Sequence, residues 1–226
     1  MPTIIGFVQS LSAAVAIIGC NAADANDAEL PREQQEPPLM YEVSIGGNTH
    51  RIASGDKRHI SIDGQKHEVR FRVLKWRSLD VGDFSFDFPA SHRVGRAALS
   101  GGAFVYHITG KKSYVTVLVS KPGRSRLMDI AVEECLGDFR REAIKTTLET
   151  GDVELNGNNY STKTVTSADS IVKLNQPEHY LYIQIPTKNH TCLVTIQDDL
   201  SPRGGHSDEY SITVERLKTS FRLLPN

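Results

Sequence analysis

Gly110-Lys111-Lys112-Ser113 is the segment of this 226-residue chain that most invites a chemical reading, because glycine, lysine and a hydroxyl are what phosphate-cradling loops use. The spacing of such a loop needs a glycine at position 105, where Val105 stands, and the segment reads as a turn between two strands. A metal would find too few ligands. His190 and Cys192 fall on one side of a strand, and His179 on the strand before could add a third, but the fourth ligand of a zinc site is missing. Asp80, Asp83 and Asp87 lack the loop spacing and terminal glutamate of a calcium site and read as solvated turn acids. No G-x-S-x-G elbow, H-E-x-x-H helix or dinucleotide fingerprint occurs. The sequence therefore assigns no catalytic residue, no metal site and no cofactor. A small periplasmic hydrolase stays as the alternative, because a triad is assembled in space and not along the chain.

The remaining chemistry lies at the cysteines. Ile4 to Gly19 is an apolar stretch too short and too polar for a transmembrane helix, and it suits the core of an export signal. It ends in Ile17-Ile18-Gly19-Cys20, the pattern of a bacterial lipoprotein signal, which makes Cys20 the candidate for lipidation. Cleavage after Ala23-Asp24-Ala25 would instead release a soluble, secreted protein. Residues 21–40, rich in Ala, Asp, Glu, Gln and Pro, read as a disordered tether whose random-coil span is about 25 Å. The expected place is the bacterial cell envelope, with the folded part facing the periplasm or the exterior. With Cys20 used by a lipid, Cys135 and Cys192 remain as an even pair in an oxidising compartment. They could form a disulfide contributing about 4 kcal/mol on the chain-entropy model, or be two small buried hydrophobes.

The formal net charge of −1 hides a division, since residues 51–126 carry 15 basic and 6 acidic side chains between two acidic ends. Such a middle suits anionic headgroups, phosphorylated glycans or acidic protein partners, and Arg70, Arg72, Lys111 and Lys112 are the candidates for holding an anionic envelope component or partner. Nucleic acid is disfavoured, because no aromatic platform interleaves with the cations. The plainer reading spreads these charges over several faces and pairs them with the acids of the C-terminal half.

The elements that must position these residues follow from periodicity. Residues 41–77 read as two hairpins turning at Gly46-Gly47-Asn48 and Asp63-Gly64, with Val69, Phe71 and Val73 on one strand face and Arg70, Arg72 and Leu74 on the other. Phe84, Phe86 and Phe88 alternate on a strand closed by Pro89. Two strands then flank Thr109-Gly110-Lys111-Lys112. A helix is expected over residues 126–150, with Met128, Val132, Cys135, Leu136, Phe139 and Ala143 on its buried stripe and Gly151 as its stop. Asn156-Gly157 marks a turn before a three-strand meander. Tyr210, Val214, Leu217 and Phe221 form the stripe of a terminal helix capped by Ser207 or Asp208. The fold class is α+β, an antiparallel sheet with a long central helix and a C-terminal helix packed on it, preceded by a small β-hairpin unit.

The order of an aromatic strand ending in proline, a hairpin, a long helix, an Asn-Gly turn, a meander and a helix ending Lys218-Thr219-Ser220-Phe221 resembles the PsbP-like fold, shared by the DcrB-like envelope lipoproteins. The likeness covers residues 84–222 and leaves residues 41–77 as a separate appendage. It implies a non-enzymatic accessory or binding role and transfers no catalytic residue.

Overall fold

A computed structural model describes residues 39–45, 48–53, 69–171 and 176–224. The chain is a mixed α+β protein with two helices and antiparallel sheets among these residues. Cys20, the tether through residue 38 and the Asp63-Gly64 turn lie outside them.

Three strands come first: β1 (Met40–Ile45), β2 (Asn48–Ala53) and β3 (Val69–Val73), in the order β2-β1-β3. Beyond Leu74 and Lys75 the chain enters β4 (Trp76–Asp80), which pairs with β5 (Phe84–Pro89) from Trp76↔Pro89 to Asp80↔Ser85. Trp76 and Arg77, placed by the sequence at the end of the hairpin unit, thus open the second sheet. Arg77, one of the 15 basic side chains of residues 51–126, is buried; its guanidinium lies 5.2 Å from the centre of the Phe88 ring and donates to the His92 carbonyl.

The main sheet has seven strands: β6 (Arg93–Ala98), β7 (Phe104–Thr109), β8 (Ser113–Ser120), β9 (Thr146–Leu155), β10 (Asn158–Ser167), β11 (Glu178–Pro186) and β12 (Thr191–Asp199), ordered β6-β7-β8-β12-β11-β10-β9. Strand alternation gives it two apolar faces. One carries Val115, Val117, Val119, Ile183, Ile185, Cys192, Val194 and Ile196, and is covered by β4, β5 and the second helix, α2 (Asp208–Ser220). The other carries Val165, Tyr182 and Leu193, and is covered by the first helix, α1 (Leu127–Arg141), through Leu127, Met128, Val132, Leu136 and Phe139. A two-residue strand, β13 (Arg222–Leu223), pairs with β5 and completes the small sheet β13-β5-β4. Phe84, Phe86 and Phe88 are fully buried there, and Phe221 lies 5.2 Å from Phe84, ring centre to ring centre. Each such side chain contributes about 1.5–3 kcal/mol of transfer free energy.

The expected helix over residues 126–150 stops at Arg141, and Thr146 to Thr150 belong to β9, with Gly151 in mid-strand. The stop is a Schellman turn built without glycine. Ala143 adopts φ 57°, its N–H donates to the Arg140 carbonyl at 3.1 Å, and the Ile144 N–H donates to the Phe139 carbonyl at 2.9 Å. Ile144 packs with Phe139 in the same cluster, the apolar contact that accompanies this turn. The Asn156-Gly157 turn stands as expected, both residues at positive φ (50° and 76°).

Candidate functional site

At each end of the seven-stranded sheet a carboxylate ties one covering element to a strand turn. Asp83, in the turn between β4 and β5, accepts from Asn189 Nδ2 at 3.0 Å, from His190 Nδ1 at 2.6 Å and from the Thr187 hydroxyl. These three residues form the β11–β12 turn, so the small sheet is pinned to the main one. Burial raises the Asp83 carboxyl, but the bonds from Thr187, His190 and Asn189 outweigh it and hold the group below its ordinary value.

At the opposite end, Gly110, Lys111 and Lys112 join β7 to β8. The amides of Lys111, Lys112 and Ser113 donate at 3.1, 2.6 and 3.0 Å to the carboxylate of Glu209, in the first turn of α2. Burial raises this carboxyl too, and the three amides reverse the effect and lower it. Glycine leaves the room for this contact: a Cβ at position 110 would stand 2.6 Å from His92 Nε2 and 2.7 Å from the Glu209 carboxyl carbon, so one of the two side chains would have to shift. The segment that invited a phosphate reading is therefore a nest of amides already filled by the chain's own carboxylate. Behind it, His92 is buried with Nε2 3.6 Å from Glu209, and its desolvation lowers its pKa.

The densest grouping lies beside that nest. Asp198, fully buried at the end of β12, accepts from His206 Nδ1 at 3.0 Å, from the Ser207 amide at 3.0 Å and from the Ser207 hydroxyl at 2.6 Å. Ser207 Oγ also accepts the Tyr210 amide at 3.0 Å, as the N-cap of α2. The His206 ring stacks on Tyr210 with centres 4.4 Å apart, and His179 stands edge-on to it at 4.5 Å. His179 pairs through Nδ1 with Thr166 Oγ1 at 3.1 Å and through Nε2 with Tyr210 Oη at 3.0 Å. Burial, with His206 alongside, drives its pKa to about 4. An aspartate holding Nδ1 of a histidine whose side chain is 41% exposed is the geometry of a positioned base. A nucleophile is missing from it: Ser207 donates to Asp198, and no hydroxyl or thiol among the described residues bonds the far nitrogen of His206.

The structure separates most residues that the sequence grouped. Lys111 and Lys112 are exposed at the β7–β8 turn and form no ion pair among the described residues. Arg70 and Arg72 lie on β3, opposite Ser44 and Glu42, and their side chains fall outside the described part. His190 bonds Asp83 at one end of the sheet, His179 belongs to the other end, and Cys192 is buried between the layers, so the three do not converge. Asp80 accepts the Gly82 amide at 2.8 Å, and Asp87 binds Ser78 at 2.6 Å and Arg216. Both thiols are free and lie on opposite sides of the main sheet, Cys192 on β12 under the small sheet and Cys135 on α1, packed against the cluster on the other face. A bond between them would have to cross the strands, which corrects the disulfide expectation. Burial pushes each thiol up to about 12.

The Asp198–His206 and Asp83–His190 pairs were not foreseen. Only the cap at Ser207 carried a local signal; the carboxylates reach their partners across the fold. Neither protein-family models nor curated proteins match this chain. No helix among the described residues is long and apolar enough to cross a membrane.

Proposed function

We propose that the chain is a non-enzymatic accessory or binding lipoprotein of a bacterial cell envelope, held by a lipid on Cys20. Residues 21–40 act as its tether, residues 41–77 as a β appendage and residues 84–222 as a PsbP-like domain of the kind found in DcrB-like lipoproteins. Its cationic surface holds an anionic envelope component or partner protein. The observation carrying this reading is the division of labour between charges: Asp83, Asp198 and Glu209 are engaged in holding layers together, while Lys111 and Lys112 stand exposed on a rigid hairpin turn without ion pairs among the described residues. A turn whose backbone is clamped by Glu209 presents its two ammonium groups from a fixed base, which limits the entropy lost on binding.

The hydrolase reading draws on the Asp198–His206 pair alone. Among the described residues no nucleophile is positioned on that histidine, so this reading stands second.

Mass spectrometry of the mature N-terminus tests the anchor: a diacylglyceryl-modified Cys20 is expected, and a retained Met1 or a start at Asn26 would overturn it. Affinity capture from native envelope with Arg70, Arg72, Lys111 and Lys112 all reversed to glutamate tests the cationic surface. Loss of the captured component at low salt is expected, and capture indifferent to both salt and reversal would remove those residues from the function.

A further inference from the structure

The cations after Arg93 are divided by β8. At one end, Lys111 and Lys112 share their surroundings with the carboxylates of Asp198, Asp199 and Glu209, since Asp198 is paired with Ser113 and the Asp199 amide donates to the Lys112 carbonyl at 3.1 Å. At the other end, about 30 Å away along the strand, β8 runs into Lys121, Arg124 and Arg126, and Ser120 is paired with Thr191 at the start of β12. The β11–β12 turn, with Lys188, is therefore adjacent. Gln184 fastens the two segments, accepting from the Met128 amide and donating to the Ser125 carbonyl, each at 3.1 Å. Lys121, Arg124, Arg126 and Lys188 are all exposed, and none forms an ion pair among the described residues. Of the carboxylates at this end, Asp83 is engaged by the β11–β12 turn and Asp129 by Lys163 Nζ at 2.6 Å, while exposed Asp80 at the end of β4 accepts the Gly82 amide at 2.8 Å. The exposed Asp152 and Glu154 lie on β9, the far edge of the sheet.

Two large apolar side chains stand exposed at the same end. Ile130, 39% exposed, is in the first turn of α1. Leu223, 47% exposed, is on β13, whose next residue, Leu224, donates its amide to the Asp83 carbonyl at 2.9 Å. A free phosphate would engage one or two of the four cations and neither apolar side chain. An anionic bilayer engages all of them, with cations at the headgroup phosphates and apolar side chains at the acyl boundary.

We infer that this end of the domain, formed by Lys121, Arg124, Arg126 and Lys188 with Ile130 and Leu223 at its margin, docks on an anionic phospholipid bilayer. The opposite end, with Lys111, Lys112 and His206, then faces away from the membrane. This surface is distinct from the one in the binding-protein reading, and the docking does not require the lipid on Cys20.

The test is sedimentation of the full chain with vesicles of phosphatidylcholine alone and of phosphatidylcholine mixed with phosphatidylglycerol. The excess on the anionic vesicles is the readout, because the neutral ones subtract what the N-terminal segment contributes. Reversing Lys121, Arg124, Arg126 and Lys188 together to glutamate is expected to lower that excess by about tenfold or more at low salt. The same number of reversals at Arg140, Arg141, Lys145 and Arg203, exposed at the other end, is expected to leave more of it. Glutamine at the first four positions gives a second variant should the glutamate set fail to fold, and it too must lose the excess. The inference is overturned by no anionic excess in the parent, by equal losses in the two reversal sets, or by inorganic phosphate displacing the chain at matched ionic strength, which would mark a free-oxyanion site. Loss of binding to neutral vesicles on Cys20→Ser reports on the anchor alone, so the two ideas fail separately.

Discussion

Glu209 shows how much of this molecule hangs on single side chains. Its carboxylate fills the β7–β8 turn beside a position 110 that has no Cβ, and an added methyl there would have to displace the buried His92 ring or the Glu209 carboxylate from its three amides. Gly110→Ala should therefore lower the unfolding free energy by about 1–3 kcal/mol, read as a fall in the urea midpoint at constant slope; a loss within error would mean that the carboxylate swings clear at little cost. The same groups set a pH response. Asp83 and Glu209 titrate below their ordinary 3.8 and 4.5, so their contribution is present above those values and is lost as pH falls through the folded ones. His92 and His179 titrate below 6.5, His179 at about 4, so the unfolded chain takes up their protons first and stability declines as pH falls from 6.5 toward 4. Glu134, raised by burial and by Asp138, works the other way just above 4.5. His107, lowered by burial as well, acts in the same direction, so the urea midpoint should rise between pH 5 and 7; a flat profile would show that these three histidines titrate alike in both states.

Among the elements, the end of α1 was the least legible and is the most instructive. Periodicity marked Met128, Val132, Leu136 and Phe139 correctly, since a buried helical stripe is a local pattern. It then ran on to residue 150, because the left-handed residue that stops the helix is Ala143 and not glycine. Schellman geometry and the Phe139–Ile144 contact hold that alanine at a backbone cost of about 1–2 kcal/mol. Ala143→Gly relieves the strain and loosens the unfolded chain, for a net gain of about 0.5–1 kcal/mol in urea titration; a net loss would show that the Ala143 methyl group makes a packing contribution. The strand readings succeeded where alternation was strict, as at Phe84, Phe86 and Phe88, and where the turn had its own chemistry, as at Asn156-Gly157. The carboxylate ties were illegible for a different reason. Asp83 and His190 are 107 positions apart, and nothing local to either names the other.

At the scale of the whole molecule, a basic middle in the sequence became a partition in space. Arg77 went inside, Arg96 came to rest over Phe104 with its guanidinium 4.5 Å from the ring centre, and exposed Lys111 and Lys112 lie at one end of β8 with exposed Lys121, Arg124 and Arg126 beyond the other. The sequence left two readings open, one cationic surface or charges spread over several faces. A strand that runs the length of the sheet made two patches, and the acids that ended up beside each decide which is open to an anion.

The two thiols, one on each side of the same sheet, amount to a pair of internal reporters for how the layers come apart. Each is held protonated, with Cys192 buried and Cys135 half-buried, so an alkylating reagent reaches either one faster once its own cover lifts. Cys135 is carried by α1 against a cluster of eight buried residues, and Cys192 is covered by the small sheet and α2 within a cluster of nineteen, counted among the described residues. The smaller cluster should open first: in sub-denaturing urea, peptide mapping should find Cys135 modified ahead of Cys192. Equal rates at the two positions would mean instead that both covers leave in one cooperative event, and that the sheet is never bared on a single side.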